Sequence, residues 1–160
     1  FSQVPYSLSE LNESLLKKAI KVKEEIVERD PKEHSERKKL NLGHTIGHAI
    51  EGFLQSKSVS IKHGDAIAWG IILELHIARR LFESHPEHAN ISSFLKKNYP
   101  KLPDLNSDQL KPFLLADKKN NDELINFSLL KRPGEVLIDQ KIDLDRTLSL
   151  LNEAIEEIRL

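Results

Sequence analysis

The stretch RKKLNLGHTIGHAIEGF, residues 37–53, places His44 and His48 four residues apart, each preceded by a glycine. Residues four apart share one face of an α-helix. The run therefore reads as a helix over about 42–55, with both imidazoles and Glu51 on one side. Gly43 and Gly47 are also four apart. A glycine inside a helix costs about 1 kcal/mol against alanine, but its bare backbone lets another chain segment or a ligand come close. Downstream, HGDAIAWG (63–70) adds His63 at the start of a further helix, expected over about 64–84. Its Ala66, Ile67, Trp69, Ile71, Ile72, Leu75, Ile77, Ala78, Leu81 and Phe82 wrap most of the circumference. A helix apolar nearly all round belongs at the centre of a domain.

Outward from this pair the elements are mostly helical. Residues 9–30 carry apolar positions at 15, 16, 19, 20, 26 and 27, a helical spacing. Asp30-Pro31 should end that helix, because the residue before proline is pushed out of the α region. PKEHSERKK (31–39) reads as a polar loop. A helix near 88–98 follows Pro86, Pro100 and Pro103 break structure, and Ser107 or Asp108 can cap a short helix. His76 reads as a helix-face residue and HPEH (85–88) as a solvated helix start. DKKNNDE (117–123) reads as a loop. LINFSLL (124–130) and GEVLID (134–139) around a KRPG turn suggest a β pair. Asp143 or Asp145 caps a last amphipathic helix to about 158. The expected fold is mainly α with one short β-hairpin, a single domain over 1–160.

The 160 residues suffice for one core. A net charge of −1 gives no support to nucleic-acid or membrane-surface binding, and no apolar run approaches the ~20 residues that span a bilayer. Cysteine is absent, so any metal must use His, Asp or Glu. This suits a cytoplasmic protein. The chain starts at Phe1 and contains no methionine, from which a piece of a longer polypeptide is expected.

A lone helical histidine is ordinarily packed or partly exposed without a special task, and a histidine pair at this spacing is by itself a weak metal signal, since catalytic zinc takes three protein ligands. His34, His76, His85 and His88 are read this way. The cluster around His44 has more company. Arg37 can grip a carboxylate or phosphate with two parallel hydrogen bonds, Asn41 can donate and accept, and Lys23 adds a further cation unless it is only a solvated helix face. Metal plus cations in a nearly neutral protein suggest a small, strongly anionic substrate.

These residues resemble 3-dehydroquinate synthases in their C-terminal helical domain. The resemblance rests on Asp30, Glu33, Arg37, Leu40, Asn41, Gly43, His44, Thr45, Gly47, His48, Ala49, Ile50 and Glu51, then His63, Gly64, Asp65, Ala66, Ile67, Ala68 and Gly70, with a weaker match at ADKKNNDELINFSLL (116–130). The family pattern has HGE where this chain has HGD at Asp65. The resemblance implies an NAD-dependent lyase that converts 3-deoxy-D-arabino-heptulosonate 7-phosphate to 3-dehydroquinate plus phosphate in the shikimate pathway, with zinc or cobalt bound. It implies His44 and His63 as metal ligands that also meet substrate, His48 and Glu33 as acid/base residues, and Lys23, Arg37, Asn41 and Lys119 (of the pair Lys118 and Lys119) as substrate-binding. The third ligand, a glutamate in an E-x-x-K motif, and the N-terminal NAD-binding α/β domain would lie outside these 160 residues, so this chain alone should neither bind NAD nor turn over. Its partners would be that domain and, in the intact enzyme, a second copy.

Related cyclases that make 2-deoxy-scyllo-inosose or epi-valiolone share these motifs. Glycerol or iron-type alcohol dehydrogenases share the helical metal domain, but the Arg37 and Asn41 anion grip has no evident purpose there. A helical interaction module without catalysis is the remaining alternative.

Overall fold

A computed structural model describes residues 13–117, 120 and 123–159. Along the chain run helix α1 (Glu13–Arg29), a 3-10 helix (Glu36–Asn41), α2 (His44–Ser56), α3 (His63–Leu81), α4 (Pro86–Asn98), α5 (Ser107–Ala116), strands β1 (Leu124–Arg132) and β2 (Glu135–Asp143), and α6 (Leu144–Arg159). The described residues form the expected mainly helical fold with one antiparallel hairpin.

The central place belongs to α3, which packs against α2, α4, α6 and β1. Its Leu73, Ile77 and Ala78 are fully buried, together with Ile46 and Ile50 of α2, Leu110 of α5, Leu129 of β1 and Leu150 of α6. The glycines set how closely α2 and α3 approach. A Cβ on Gly43 would lie 2.4 Å from Ile71, one on Gly47 2.7 Å from Ile67, and one on Gly70 1.9 Å from the carbonyl oxygen of Gly43. Gly43 thus faces residue 71 and Gly47 faces 67, so the two helices run antiparallel, backbone against backbone. This register brings the second turn of α2, with His48 and Glu51, beside the start of α3, with His63.

The first helix ends at Arg29, before Asp30-Pro31, as the sequence requires. None of its described residues is buried, and Leu16, Ile20 and Val22 are exposed. Pro133-Gly134 turns the hairpin with Gly134 at φ 84°, the left-handed position that a proline-glycine type II turn reserves for glycine.

Several details depart from the sequence reading. The polar loop expected over 31–39 gives way at residue 36 to the 3-10 helix Glu36–Asn41, because Lys38 is fixed from outside: its carbonyl accepts from Ser128 Oγ at 2.7 Å and its Nζ meets Asp139 at 2.7 Å. The cap of α5 is Asn106, not Ser107 or Asp108. Asn106 accepts from the Gln109 N–H while the Gln109 side chain accepts from the Asn106 N–H, a reciprocal capping box. β1 runs two residues past its expected end at 130, and β2 four past its expected end at 139. His76 and His88 are buried, and burial pushes both imidazoles below their ordinary pKa. His88 therefore belongs to the interior rather than to a solvated helix start, whereas His85 does cap α4, accepting from the Glu87 N–H. The final helix is capped by Asp143, which accepts from Arg146.

Candidate metal centre

His44, His48 and His63 converge. Each offers one ring nitrogen, and the three nitrogens lie within 4.8 Å of one another. The ring centroids are 5.3 Å apart for His44 and His48, and 5.7 Å for each of these with His63. Helix α2 supplies the first pair by its four-residue spacing, and the glycine contact with α3 supplies the third. Two donors on a tetrahedral zinc lie about 3.3 Å apart, given Zn–N near 2.0–2.1 Å. A short inward movement of the exposed His63 ring would close the gap to His44. The donor set, all imidazole, suits zinc or cobalt.

Two of the rings are held through Nδ1. His44 Nδ1 lies 3.1 Å from the Leu42 carbonyl oxygen, which can only accept, so Nδ1 carries the proton and Nε2 the lone pair. His63 Nδ1 lies 3.2 Å from Glu51 Oε2. A ligand histidine tied in this way to a carbonyl or carboxylate is the common outer arrangement of metal sites, fixing tautomer and ring direction. Among the described residues no hydrogen bond orients His48.

The Glu51 contact carries a prediction. Glu51→Gln keeps the length of the side chain but weakens its hold on the His63 ring. Cobalt or zinc affinity of the chain, measured by calorimetric titration, should fall about tenfold, with the thermal midpoint little changed. An unaltered affinity would mean that Glu51 does not orient a ligand.

Upstream, a second constellation is built on Asp30. Only 7% exposed, it accepts from the backbone N–H groups of His34 at 2.9 Å, Ser35 at 2.8 Å and Arg37 at 3.0 Å. This ties the segment into a loop in which Glu33 sits at φ 56°, in the left-handed region. Asn41 Nδ2 donates to Glu33 Oε1 at 2.6 Å, and Arg37 Nε lies 3.8 Å from Glu33 Oε2. Arg37 Nη1 donates to the Pro31 carbonyl at 3.0 Å. Glu33, Arg37 and Asn41 are therefore one cluster, and Glu33 and Asn41 line a cavity of about 620 Å³ shared with Lys38, Asn126, Ser128 and Asp139.

Desolvation alone would push the Asp30 carboxyl up, but the amides of Ser35, His34 and Arg37 and the Ser35 hydroxyl outweigh it and hold the group at about 2, against an ordinary 3.8. A depressed native pKa stabilises the fold fully above the unfolded value, and that stability is lost as pH falls through the native one. The backbone amides of residues 34, 35 and 37 should accordingly lose hydrogen-exchange protection as pH drops from about 4 to about 2. In Asp30→Asn they should be poorly protected throughout. Equal protection in both proteins would refute the clamp.

Lys23 stands exposed on α1, and no contact of the described residues joins it to the histidines. Lys118 and Lys119 lie outside the described residues. Two residues that hold the site escaped the sequence reading: the Asp30 carboxylate as a loop clamp, and Glu74, fully buried on α3. A charge in the middle of an apolar run, IILELHIA (71–78), was the available signal for Glu74.

Comparison with known proteins bears on what this arrangement is for. The family model described as 3-dehydroquinate synthase C-terminal matches residues 3–120. The 3-dehydroquinate synthase of Parabacteroides distasonis is 41% identical over 142 residues, which are 87% of this chain and 40% of that protein. The 3-dehydroquinate synthase of Staphylococcus haemolyticus is 38% identical over 132 residues, 81% of this chain and 36% of that protein. The chain thus spans about 40% of the length of such relatives. A crystal structure of 2-deoxy-scyllo-inosose synthase complexed with carbaglucose-6-phosphate, NAD+ and Co2+ superposes with a TM-score of 0.73 at 26% identity, covering 88% of this chain and 40% of that one.

Proposed function

The chain belongs to the 3-dehydroquinate synthase C-terminal family, and from that premise we propose that it is the metal- and substrate-binding part of a 3-dehydroquinate synthase. The proposed reaction takes 3-deoxy-D-arabino-heptulosonate 7-phosphate to 3-dehydroquinate and phosphate. The observation that carries this is the convergence of His44, His48 and His63, two of them oriented through Nδ1, a short way along the chain from the Glu33–Arg37–Asn41 cluster.

In this reading His44 and His63 hold a divalent ion, zinc or cobalt, through Nε2, because each is locked with Nδ1 turned to an oxygen. The third ligand and the nucleotide site come from a segment beyond these residues, consistent with the 40% span of the relatives. The bound groups would supply Lewis-acid polarisation of a substrate oxygen and transient oxidation of a substrate hydroxyl by nicotinamide. The chain's own side chains do the rest. Arg37 and Asn41 grip an anionic substrate group, with Lys23 and Lys119 as further cationic arms, and this fixes the reacting carbon in place. Glu33 accepts a proton at Oε2, since Oε1 is held by Asn41. His48, exposed and unclamped, moves a proton at a ring nitrogen. Among the described residues no helix is long and apolar enough to cross a membrane.

A fusion of this chain to the N-terminal portion of the Parabacteroides distasonis synthase tests the reading. Phosphate release from the heptulosonate phosphate is expected, and His48→Ala should lower it by 10²–10⁴-fold, the usual weight of general acid–base catalysis. Turnover of glucose 6-phosphate in its place would assign the chain to the inosose cyclases. A fusion that binds metal and NAD but processes neither would reject both.

A further inference from the structure

We propose that Glu74 is a positioning residue that acts on His44 through a single peptide group. The inference rests on the reading of His44 as a metal ligand and deepens it.

Glu74 sits on α3 with no exposure to solvent. Its Oε2 accepts from the Gly43 N–H at 2.6 Å, and its Oε1 accepts from the Ile46 N–H at 3.2 Å. The first turn of a helix leaves its N–H groups without intrahelical partners. Gly43, the cap residue of α2, has no side chain to serve them. Glu74 takes over that task from another helix, placing both carboxyl oxygens at the α2 N-terminus.

The geometry goes beyond capping. The N–H of Gly43 and the carbonyl of Leu42 are two ends of the same peptide unit. At one end the N–H donates to Glu74; at the other the carbonyl accepts from His44 Nδ1 at 3.1 Å. The series runs from the carboxylate through the 42–43 peptide to the imidazole. Hydrogen bonds in such a chain polarise one another. A carboxylate drawing on the N–H makes the carbonyl a better acceptor. The carbonyl in turn holds the proton on Nδ1 and leaves the lone pair on Nε2. His63 receives the same treatment from Glu51 directly. His44 receives it at one remove, from a carboxyl group kept out of solvent. Gly43 makes this possible, since its φ of 80° turns the peptide so that both ends are engaged.

The test needs the 160-residue chain only. At mildly alkaline pH, where imidazole is neutral, ring-nitrogen NMR should find His44 as the Nδ1–H tautomer, with the Gly43 amide proton shifted strongly downfield. In Glu74→Gln, and more so in Glu74→Met, which removes both acceptors, the amide shift should collapse and His44 should move toward the Nε2–H tautomer. Cobalt affinity should fall about tenfold. A capping role alone would lower the thermal midpoint yet leave the tautomer and the affinity of the folded chain unchanged, and that result overturns the proposal. Should neither variant fold, the wild-type spectrum still decides, because an Nε2–H tautomer on His44 would overturn it as well. The tautomer is read without metal, so the relay stands or falls on its own result, separately from the metal reading.

Discussion

Replacing His44 by alanine is expected to weaken zinc or cobalt binding to this chain by at least ~100-fold, more than the ~10–100-fold that follows when only an outer partner of a ligand is removed. The size of the effect comes from coordination number. On the proposed assignment of His44 and His63 as the two ligands from this chain, loss of one leaves a single imidazole, which discriminates little from a surface histidine. His44 is only half-buried, and its ring packs against other histidines rather than in the apolar core. The thermal midpoint should therefore shift by the equivalent of ~1 kcal/mol or less, as for substitutions away from core features. The same change at His48 should cost far less affinity, because His48 is assigned a proton-transfer role. Calorimetric titration of the two variants side by side checks this. Equal losses would make His48 a ligand, and no loss in either would remove the metal from the account.

Gly70→Ala should have the largest effect on the fold. An added Cβ would fall 1.9 Å from the Gly43 carbonyl oxygen and 2.7 Å from the Gly47 nitrogen. Both are backbone atoms near the start of α2, and neither can rotate aside. Overpacking of cores ordinarily costs ~1–3 kcal/mol where side chains can yield; here the helices themselves must part, and at least ~3 kcal/mol is expected. Parting them also shifts α2 along α3 and carries His44 and His48 away from His63. Urea unfolding should show the lost stability, and a variant rescued at low temperature should bind metal weakly. Gly64→Ala provides the contrast, since a Cβ there meets nothing within 4 Å. Similar stability of the two variants would contradict the close-packed α2–α3 seam.

That seam explains which parts of the site were legible from the residues. His44 and His48 declare a shared face through their spacing alone, and α3 declares its central position through apolar residues on every side. The two paired glycines announced a close approach without naming the neighbour. The clamps are different. Glu74 reaches partners 31 and 28 residues away, a pairing that exists only once two helices pack. The 3-10 helix could not be read from ERKKLN, because it depends on Ser128 and Asp139 of the hairpin. His88 looked solvated beside proline and glutamate, yet the fold turns it inward. The roles given to Glu33, His48 and Lys23 came from family resemblance rather than from spacing. Of these, Glu33 meets Arg37 and Asn41 in the described contacts, and Lys23 stays outside them.

The most direct test of the central claim is anomalous diffraction at the metal edge, on crystals of this chain grown with cobalt or zinc. The account predicts one peak about 2.0–2.1 Å from Nε2 of both His44 and His63, with Nδ1 of each still turned to Leu42 and Glu51, and His48 outside bonding distance. A peak bound through Nδ1, or a peak on His48 in place of His63, would contradict it.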